Sequence, residues 1–549
     1  MRLVSRKEPR TRRRSLERAL STAFQNDQEL SSKQPGFVRP PWTHGMGFGA
    51  RNTLLAAVAV LAGCAVGPDF RLPAAPPVNG YTPERLAPRT AGANVKGGEP
   101  QRFVEGLDIP GQWWRLFHSR ALDELLDESI RNNPNLESAQ AALRVAQENV
   151  RAQKGYYYPS ISANFTPSRN KTATATITPV ANTGNPYYSL YTTQLSISYV
   201  PDVFGLNRRT VESLQAQADA QKFQLEATYL TLTSNVVAAA IQEAALRGQI
   251  DATQETIRIA TDTLNIMRKQ LSFGQIAGAD VATQETALAQ VQATLPPLQK
   301  ALAQQRDLLT ALAGRFPSEG VWQKFELADL RLPENIPVSL PSKVVEQRPD
   351  IRSAEVQLHS ACAEIGVAVA NMLPNLTLSG NGGSQALSMA QLFGPGTGYF
   401  TLAASMTQPI FEGGTLLHRT RAARATYDQT EAQYRNTVIT AFQNVADSLR
   451  ALQSDADSVK TAAAAEQAAA TTLDITRKQL QLGQIAYLTM LQAEGAYYQA
   501  LISLVQAKAA RYADTAALFQ ALGGGWWNRS DIVPQKGRGG PPPQKPFLE

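Results

Sequence analysis

Few residues in this sequence are placed to do chemistry. There are two cysteines and four histidines. Cys64 directly follows Leu61-Ala62-Gly63 at the end of an apolar run, and a thiol in that setting is a candidate for acylation. An acylated Cys64 leaves Cys362 without a disulfide partner, and Cys362, inside a helical pattern, reads as a small buried residue. His118, His359 and His418 are scattered with no metal-ligand spacing and read as surface residues. No Gly-rich phosphate loop and no nucleophile motif accompanies them. The expectation is a protein that is not an enzyme, with no catalytic residue, cofactor or metal.

The surroundings of Cys64 argue for export. Arg51 precedes an apolar stretch from Thr53 to Leu61, too short for a permanent membrane helix, and small residues lead to the cysteine. The arrangement resembles a bacterial lipobox, which implies cleavage before Cys64 and lipidation of that residue. Residues 1–45 do not fit a secretory signal, and the expectation is a translation start nearer Met46. The formal charge of +7 also belongs to this leader: residues 1–63 hold eleven Lys and Arg against four acids, so residues 64–549 are neutral. A nucleic-acid partner inferred from basicity has no support in the mature chain.

The elements that would position these groups are written twice. Thr263-Leu-Asn-Ile-Met-Arg-Lys-Gln-Leu-Ser-Phe-Gly-Gln-Ile-Ala277 returns 209 residues later as Thr472-Leu-Asp-Ile-Thr-Arg-Lys-Gln-Leu-Gln-Leu-Gly-Gln-Ile-Ala486. A domain-sized unit has been duplicated. In each copy a helical pattern stops at Gly274 or Gly483, where glycine suits a left-handed cap, and another helix starts soon after. A helix is expected from about Leu206 to Ser272. It carries a four-three seam through Leu225, Tyr229, Leu232, Val236, Ala239, Glu243, Leu246, Ile250 and Thr253 to Leu271, which only Glu243 and Thr253 break. Such a rod is roughly 100 Å long. Its counterpart runs from about Leu416 to Gln481. Shorter helices are expected at Ser119–Lys154, at Asp280–Ala313 with a kink or interruption at Pro296-Pro297, and at Tyr487–Leu522. In each copy the shorter helices together match the long one, so each copy fills a column of constant height.

Between helices the period changes to two. Ile161, Ala163 and Phe165 alternate with small polar residues, as do Tyr191, Thr193, Leu195, Ile197 and Tyr199. Segments at Leu376–Gly380 and Phe400–Met406 repeat the pattern in the second copy. The alternation suits a transmembrane β-hairpin with lipid on one face and water on the other, and equally a half-buried hairpin of a soluble sandwich. The expected divisions are a leader (1–63), an extended lipid-anchored tether (64–118), a first repeat (119–330), a second repeat (331–523) and a disordered tail (524–549).

Together these features resemble the TolC-like outer-membrane efflux ducts, within them the lipid-anchored branch of the NodT type. The resemblance rests on Cys64-Ala-Val-Gly-Pro-Asp-Phe70, on Trp113-Trp114 with Phe117 and Leu122, on the Asn133-Pro134 and Arg348-Pro349-Asp350 helix starts and on the paired glycine tips. It implies a mainly α fold in which three chains build a helical coiled-coil barrel and donate four strands each to one twelve-stranded β-barrel. It further implies an outer-membrane location, a homotrimer anchored in outer-membrane lipid, a periplasmic adaptor and an inner-membrane efflux pump. Adaptor contacts would fall on Gly274, Gln275, Ile276, Gly483, Gln484 and Ile485. A periplasmic gate would involve Asp280, a ring of carboxylates in a trimer, and also Leu480, Thr489 and Gln492, where relatives carry a tyrosine or acids. Asp280 equally suits the plain role of an acid in a first helical turn. The alternative reading is a lipid-anchored periplasmic coiled-coil adaptor or scaffold, which leaves the two amphipathic hairpins unexplained.

Overall fold

Asn133 and Pro134 show how the local sequence sets the architecture. Proline tolerates the first helical position but not the interior, and the Asn133 side chain accepts the Asn135 N–H at 3.0 Å. The single helix expected over Ser119–Lys154 is therefore two, α1 (Arg120–Asn132) and α2 (Pro134–Lys154). A computed structural model describes residues 65–74, 76–78, 80–84, 87–171 and 187–529. Cys64 and the leader lie outside the described residues.

The long rods α3 (Leu206–Ser272) and α7 (Thr415–Gln481) are 67 residues each, and α4 (Gly278–Leu312) and α8 (Tyr487–Ala521) are 35 each. Both pairs keep the 209-residue offset of the tips. The second copy also contains α5 (Pro341–Gln347) and α6 (Pro349–Ala370). Rod α3 packs against α2 and α4 of its own copy and against α6 and α8 of the other, while α7 packs against α6 and α8. Four columns stand side by side, two long and two assembled from shorter helices. The expected interruption at Pro296-Pro297 does not occur: α4 runs through both prolines. Both are solvent-exposed, so carbonyls deprived of a helical donor can bond water.

The shorter helices join end to end through the same contact in both copies. The Asn133 amide donates to the Leu312 carbonyl at the end of α4, 3.0 Å away. At the equivalent point the Arg348 guanidinium donates to the Ala521 carbonyl at the end of α8, 2.8 Å away, while its other arm holds Asp350. Each junction turns on a glycine, Gly314 at φ +76° and Gly523 at φ +96°. A Cβ at Gly314 would lie 2.4 Å from the Asn132 carbonyl, and one at Gly523 3.0 Å from that of Gln347.

Beside these junctions sits the main core. Trp113, Trp114 and Phe117, on a 3₁₀ turn, are fully buried among Tyr229, Tyr512 and Phe519, and Trp113 stacks on Phe519 at 5.4 Å. The seam residue Glu243 is also fully buried, paired to Arg247 at 2.6 Å and Arg306 at 2.8 Å. Arg306 additionally donates to the carbonyls of Val321 and Gln323, fastening the linker between the copies.

The chain before α1 is not a free tether. The Val66 N–H bonds the Phe204 carbonyl at 3.2 Å, and buried Arg209 on α3 reaches the Val66 carbonyl and the Asp69 carboxylate. Farther along, buried Arg511 on α8 donates to Thr90, Glu99 and Gln101. Strand β1 (Arg102–Glu105) pairs in parallel with β4 (Asn335–Val338). The stretch is extended but tied down along its length. The tail boundary shifts likewise: Trp526 Nε1 donates to the Gln347 carbonyl at 2.6 Å, and Trp527 and Asn528 bond Asp108. Residues 530–549 lie outside the described residues.

Gly314→Ala is expected to break the first junction, because the left-handed backbone and the Asn132 contact both resist a side chain. A loss of about 1–3 kcal/mol, read as a lower thermal midpoint, is the predicted result. Gly523→Ala, with the wider approach, should lose less.

Candidate functional site

The four remaining strands, β2 (Ser160–Lys171), β3 (Tyr187–Tyr199), β5 (Asn375–Ala386) and β6 (Gly398–Thr407), form one antiparallel sheet in the order β2-β3-β5-β6. Directly opposed residues share a face. Register places Ile161 opposite Ile197, Ala163 opposite Leu195, Tyr199 opposite Leu378, Gly382 opposite Phe400 and Leu376 opposite Met406. Over these rows that face is apolar from edge to edge, while the rows farther along β2 and β3 add Thr193, Ser384, Ser189, Arg169 and Lys171 to it. The other face aligns Ser160 with Ser198, Asn164 with Gln194, Ser196 with Asn381 and Thr377 with Ser405. It offers hydroxyls and amides.

Among the described residues nothing covers the apolar band. Phe400 and Leu402 are each 80% exposed. Strands β2 and β6 each leave one edge unpaired among the described residues. An exposed band of apolar residues across a sheet face is costly in water and suited to lipid, and unpaired edges are tolerated in lipid only if another chain pairs with them. Among the described residues no helix is long and apolar enough to cross a membrane.

At the opposite ends of the rods lie the two tips, built identically. Gly274 and Gly483 both sit at φ +71°. The Gly274 N–H bonds the Leu271 carbonyl and the Gln275 N–H that of Gln270, both at 2.9 Å; Gly483 to Leu480 and Gln484 to Gln479 repeat the pattern at 3.0 and 2.9 Å. This is the double bond of a Schellman cap. Gly274, Gln275, Gly483 and Gln484 are exposed, whereas Ile276 and Ile485 are half-buried. Ile276 packs on a small cluster of Ala260, Leu264, Met267, Val281 and Leu288.

The candidate gate residues are not equivalent. Asp280 is half-buried in the first turn of α4, and its carboxylate accepts the Ala277 N–H at 3.3 Å, so it does cap its own helix. Leu480 packs against Ile259, Leu473, Met490 and Ala493. Thr489 and Gln492 are exposed on α8. Of the histidines, His118 and His418 are exposed, but His359 is half-buried, stacked on Phe70 at 4.5 Å and bonded to Glu212 at 2.9 Å. Cys362 is buried beneath the Pro68 carbonyl, and burial pushes its thiol up.

Two acidic groups escaped the sequence reading. Glu494 on α8 is only 5% exposed, close to the tips. Asp455 on α7 meets Asp514 on α8, with its Oδ2 buried and lacking a donor. Burial first, and then the neighbouring Asp514, push the Asp455 carboxyl up to about 7, against the pull of Arg511. For Glu494 the signal was a charged residue in a stretch of otherwise small, apolar or aromatic helix; Asp455, two residues from Asp457, gave none.

The comparisons with known proteins agree with this arrangement. The profile of the outer membrane efflux protein family matches residues 125–315 and 340–524, which are the two repeats without the linker between them. The chain belongs to the outer membrane efflux protein family. Its sequence is 28% identical over 487 residues to the probable efflux pump outer membrane protein TtgC of Pseudomonas putida, covering 88% of this chain and 97% of that protein. It is 26% identical over 479 residues to the probable outer membrane lipoprotein SilC of Salmonella typhimurium, covering 86% and 98%. Among solved structures the outer-membrane channel OprN superposes with a TM-score of 0.75 at 23% identity, over 84% of this chain and all of that one, and so shares the fold. As an outer membrane efflux protein the chain is the outer-membrane component of an export system, mainly helical with a β part for the membrane.

The acid pair has a pH signature. Because the folded state holds the Asp455 proton to about pH 7 while an unfolded chain releases it near 3.8, stability should fall as pH rises across that interval. Asp455→Asn is expected to flatten this part of the profile of thermal midpoint against pH.

Proposed function

We propose that three copies of this chain close their sheets into one twelve-stranded barrel and their helical columns into a tunnel, forming a passive exit duct for small molecules. The observation that carries this reading is the sheet: four strands, two edges unpaired among the described residues, one face with an apolar band across all four strands and one polar uncharged face. Four strands cannot close on themselves, and edge pairing with two further copies satisfies every backbone group while turning the apolar face to lipid. The hydroxyl and amide face then lines water. The rods, roughly 100 Å long, carry that bore through the periplasm.

The exposed glycine tips, with Gln275, Ile276, Gln484 and Ile485, are the proposed docking points for a periplasmic adaptor that couples the duct to an inner-membrane pump. The name of SilC and the fixed position of residues 65–70 support acylation of Cys64. Val66 is bonded to Phe204 just before α3, at the sheet end of the rods, so a lipid two residues earlier would enter the membrane the sheet occupies. Asp280 is proposed to form a carboxylate ring that favours cations, with Leu480, Thr489 and Gln492 completing the constriction.

Purified protein in a planar lipid bilayer is expected to form trimers that conduct ions, and a monomer that stays soluble without detergent and conducts nothing would refute the duct. Asp280→Asn trimers should conduct with reduced cation preference, measured as reversal potential in a salt gradient; an unchanged potential removes Asp280 from the gate.

A further inference from the structure

The sheet carries almost no charge, and what it carries lies in one place. Residues 160–199 and 375–407, which hold all four strands of the larger sheet, contain no Asp or Glu and only two cations, Arg169 and Lys171. Both belong to the last rows of β2, opposite Ser189 and Tyr187 on β3, at the end of the sheet away from the rods. Two-residue spacing keeps them on one face, that of Ile161, Ala163 and Phe165. Both are exposed. Arg169 donates to the Ser189 hydroxyl at 3.2 Å, and the Lys171 ammonium stands 5.3 Å from the centre of the Tyr187 ring.

Their height above the apolar band follows from strand geometry. Apolar residues recur on that face from the row of Leu376 and Met406 to the row of Pro167, Tyr191 and Ala386. On β5 this span covers about 33 Å of strand, and a barrel tilt of about 40° makes it about 25 Å along the membrane normal, the height of the lipid belt on an outer-membrane barrel. Arg169 then stands about 5 Å beyond the belt and Lys171 about 10 Å, at the level of the headgroups. Closing the barrel brings no counter-charge. The strand that an edge-paired neighbour offers to β2 is β6, and β6 is free of acids as well. An anion on this face therefore comes from the membrane. With the rods in the periplasm, this end of the sheet meets the outer leaflet, whose lipid in an outer membrane is a phosphorylated glycolipid.

We propose that Arg169 and Lys171, with Ser189 and Tyr187 beside them, bind a phosphate group of the outer-leaflet glycolipid, lipopolysaccharide, at one site per chain. The site rests on the duct reading, which turns this face to lipid. The guanidinium spends one N–H on Ser189 and keeps its other donors for a planar two-point contact with phosphate oxygens, to which the Lys171 ammonium adds a point charge. The Ser189 hydroxyl accepts from Arg169 and has its own hydrogen to give. Tyr187 sets an amphipathic ring at the boundary where such rings settle. A soluble anion passing through the bore would meet the opposite face, with Ser168 and Asn170, instead. The strands carry no cation at their rod end, so the site belongs to one leaflet.

The test is binding of diphosphoryl lipid A to the full chain, purified in a non-ionic detergent and followed by native mass spectrometry. Wild-type protein should bind it about 25-fold more tightly than the same glycolipid stripped of both phosphates, a factor of about five for each cation. The double variant Arg169→Gln, Lys171→Gln should bind both forms alike, at the weaker level. Arg169→Lys with Lys171→Arg, which keeps both charges, should retain most of the preference. Phosphatidylglycerol, with its single phosphodiester, should bind the wild type more weakly than diphosphoryl lipid A. Equal binding of the two glycolipids by the wild type, an unchanged preference in the double Gln variant, or phosphatidylglycerol bound as tightly as lipid A overturns the site. Should the Gln variant fail to assemble, the two glycolipids compared on the wild type decide alone. Planar-bilayer conductance separates the two readings: conducting protein without phosphate preference strikes the site and spares the duct, whereas phosphate preference in protein that conducts nothing strikes the duct and leaves the lipid-facing site.

Discussion

A helix of 67 residues can be packed along its whole length only by something equally long, and this chain meets that demand by stacking shorter helices end to end. The capped carbonyls of Leu312 and Ala521 are where the demand is met. An unsatisfied helix end beside the aromatic core would cost the desolvation of its carbonyls. Here a side chain from the next helix supplies the donor and fixes that helix at the same time. Because both junctions sit at equivalent points, the assembled columns keep the height of the rods. Strands then emerge together at one end and glycine tips at the other.

Much of this was legible in the sequence, for a physical reason. Both rods end within a residue or two of where the four-three seam and the glycines place them, since seam period and left-handed caps are local properties. Strand alternation likewise marked all four strands of the larger sheet, but not the short pair β1 and β4. What escaped depends on partners hundreds of residues away. Proline at 134 splits a helix while Pro296 and Pro297 do not, a difference set by a capping asparagine in one case and open solvent in the other. The segment after Cys64 reads as a tether because its anchors, Arg209 and Arg511, lie far off in sequence. Glu494 and Asp455 were invisible as a buried contact between the copies and an acid pair, because an acid in a helix pattern says nothing of which neighbour it meets.

The two ends of the molecule handle polarity in opposite ways. At the sheet, polar groups are spread thinly over one face and carry no charge along the central rows, which suits indifferent passage of solutes. Near the tips, Thr263, Gln284 and Glu494 are enclosed between two apolar clusters.

The two offsets of the duplication differ: Pro134 and Pro349 are 215 residues apart, whereas Gly205 and Gly414, and every rod and tip beyond them, are 209 apart. From the start of α2 onward, the length difference between the copies therefore falls before the start of α3, in the stretch that holds the hairpin. Within the rods a one-residue insertion would rotate the seam by about 100° and misalign a column, so it is purged. The hairpin stretch has no seam to keep in register, so length can vary there, and by the same reasoning it is where an engineered tag would be tolerated.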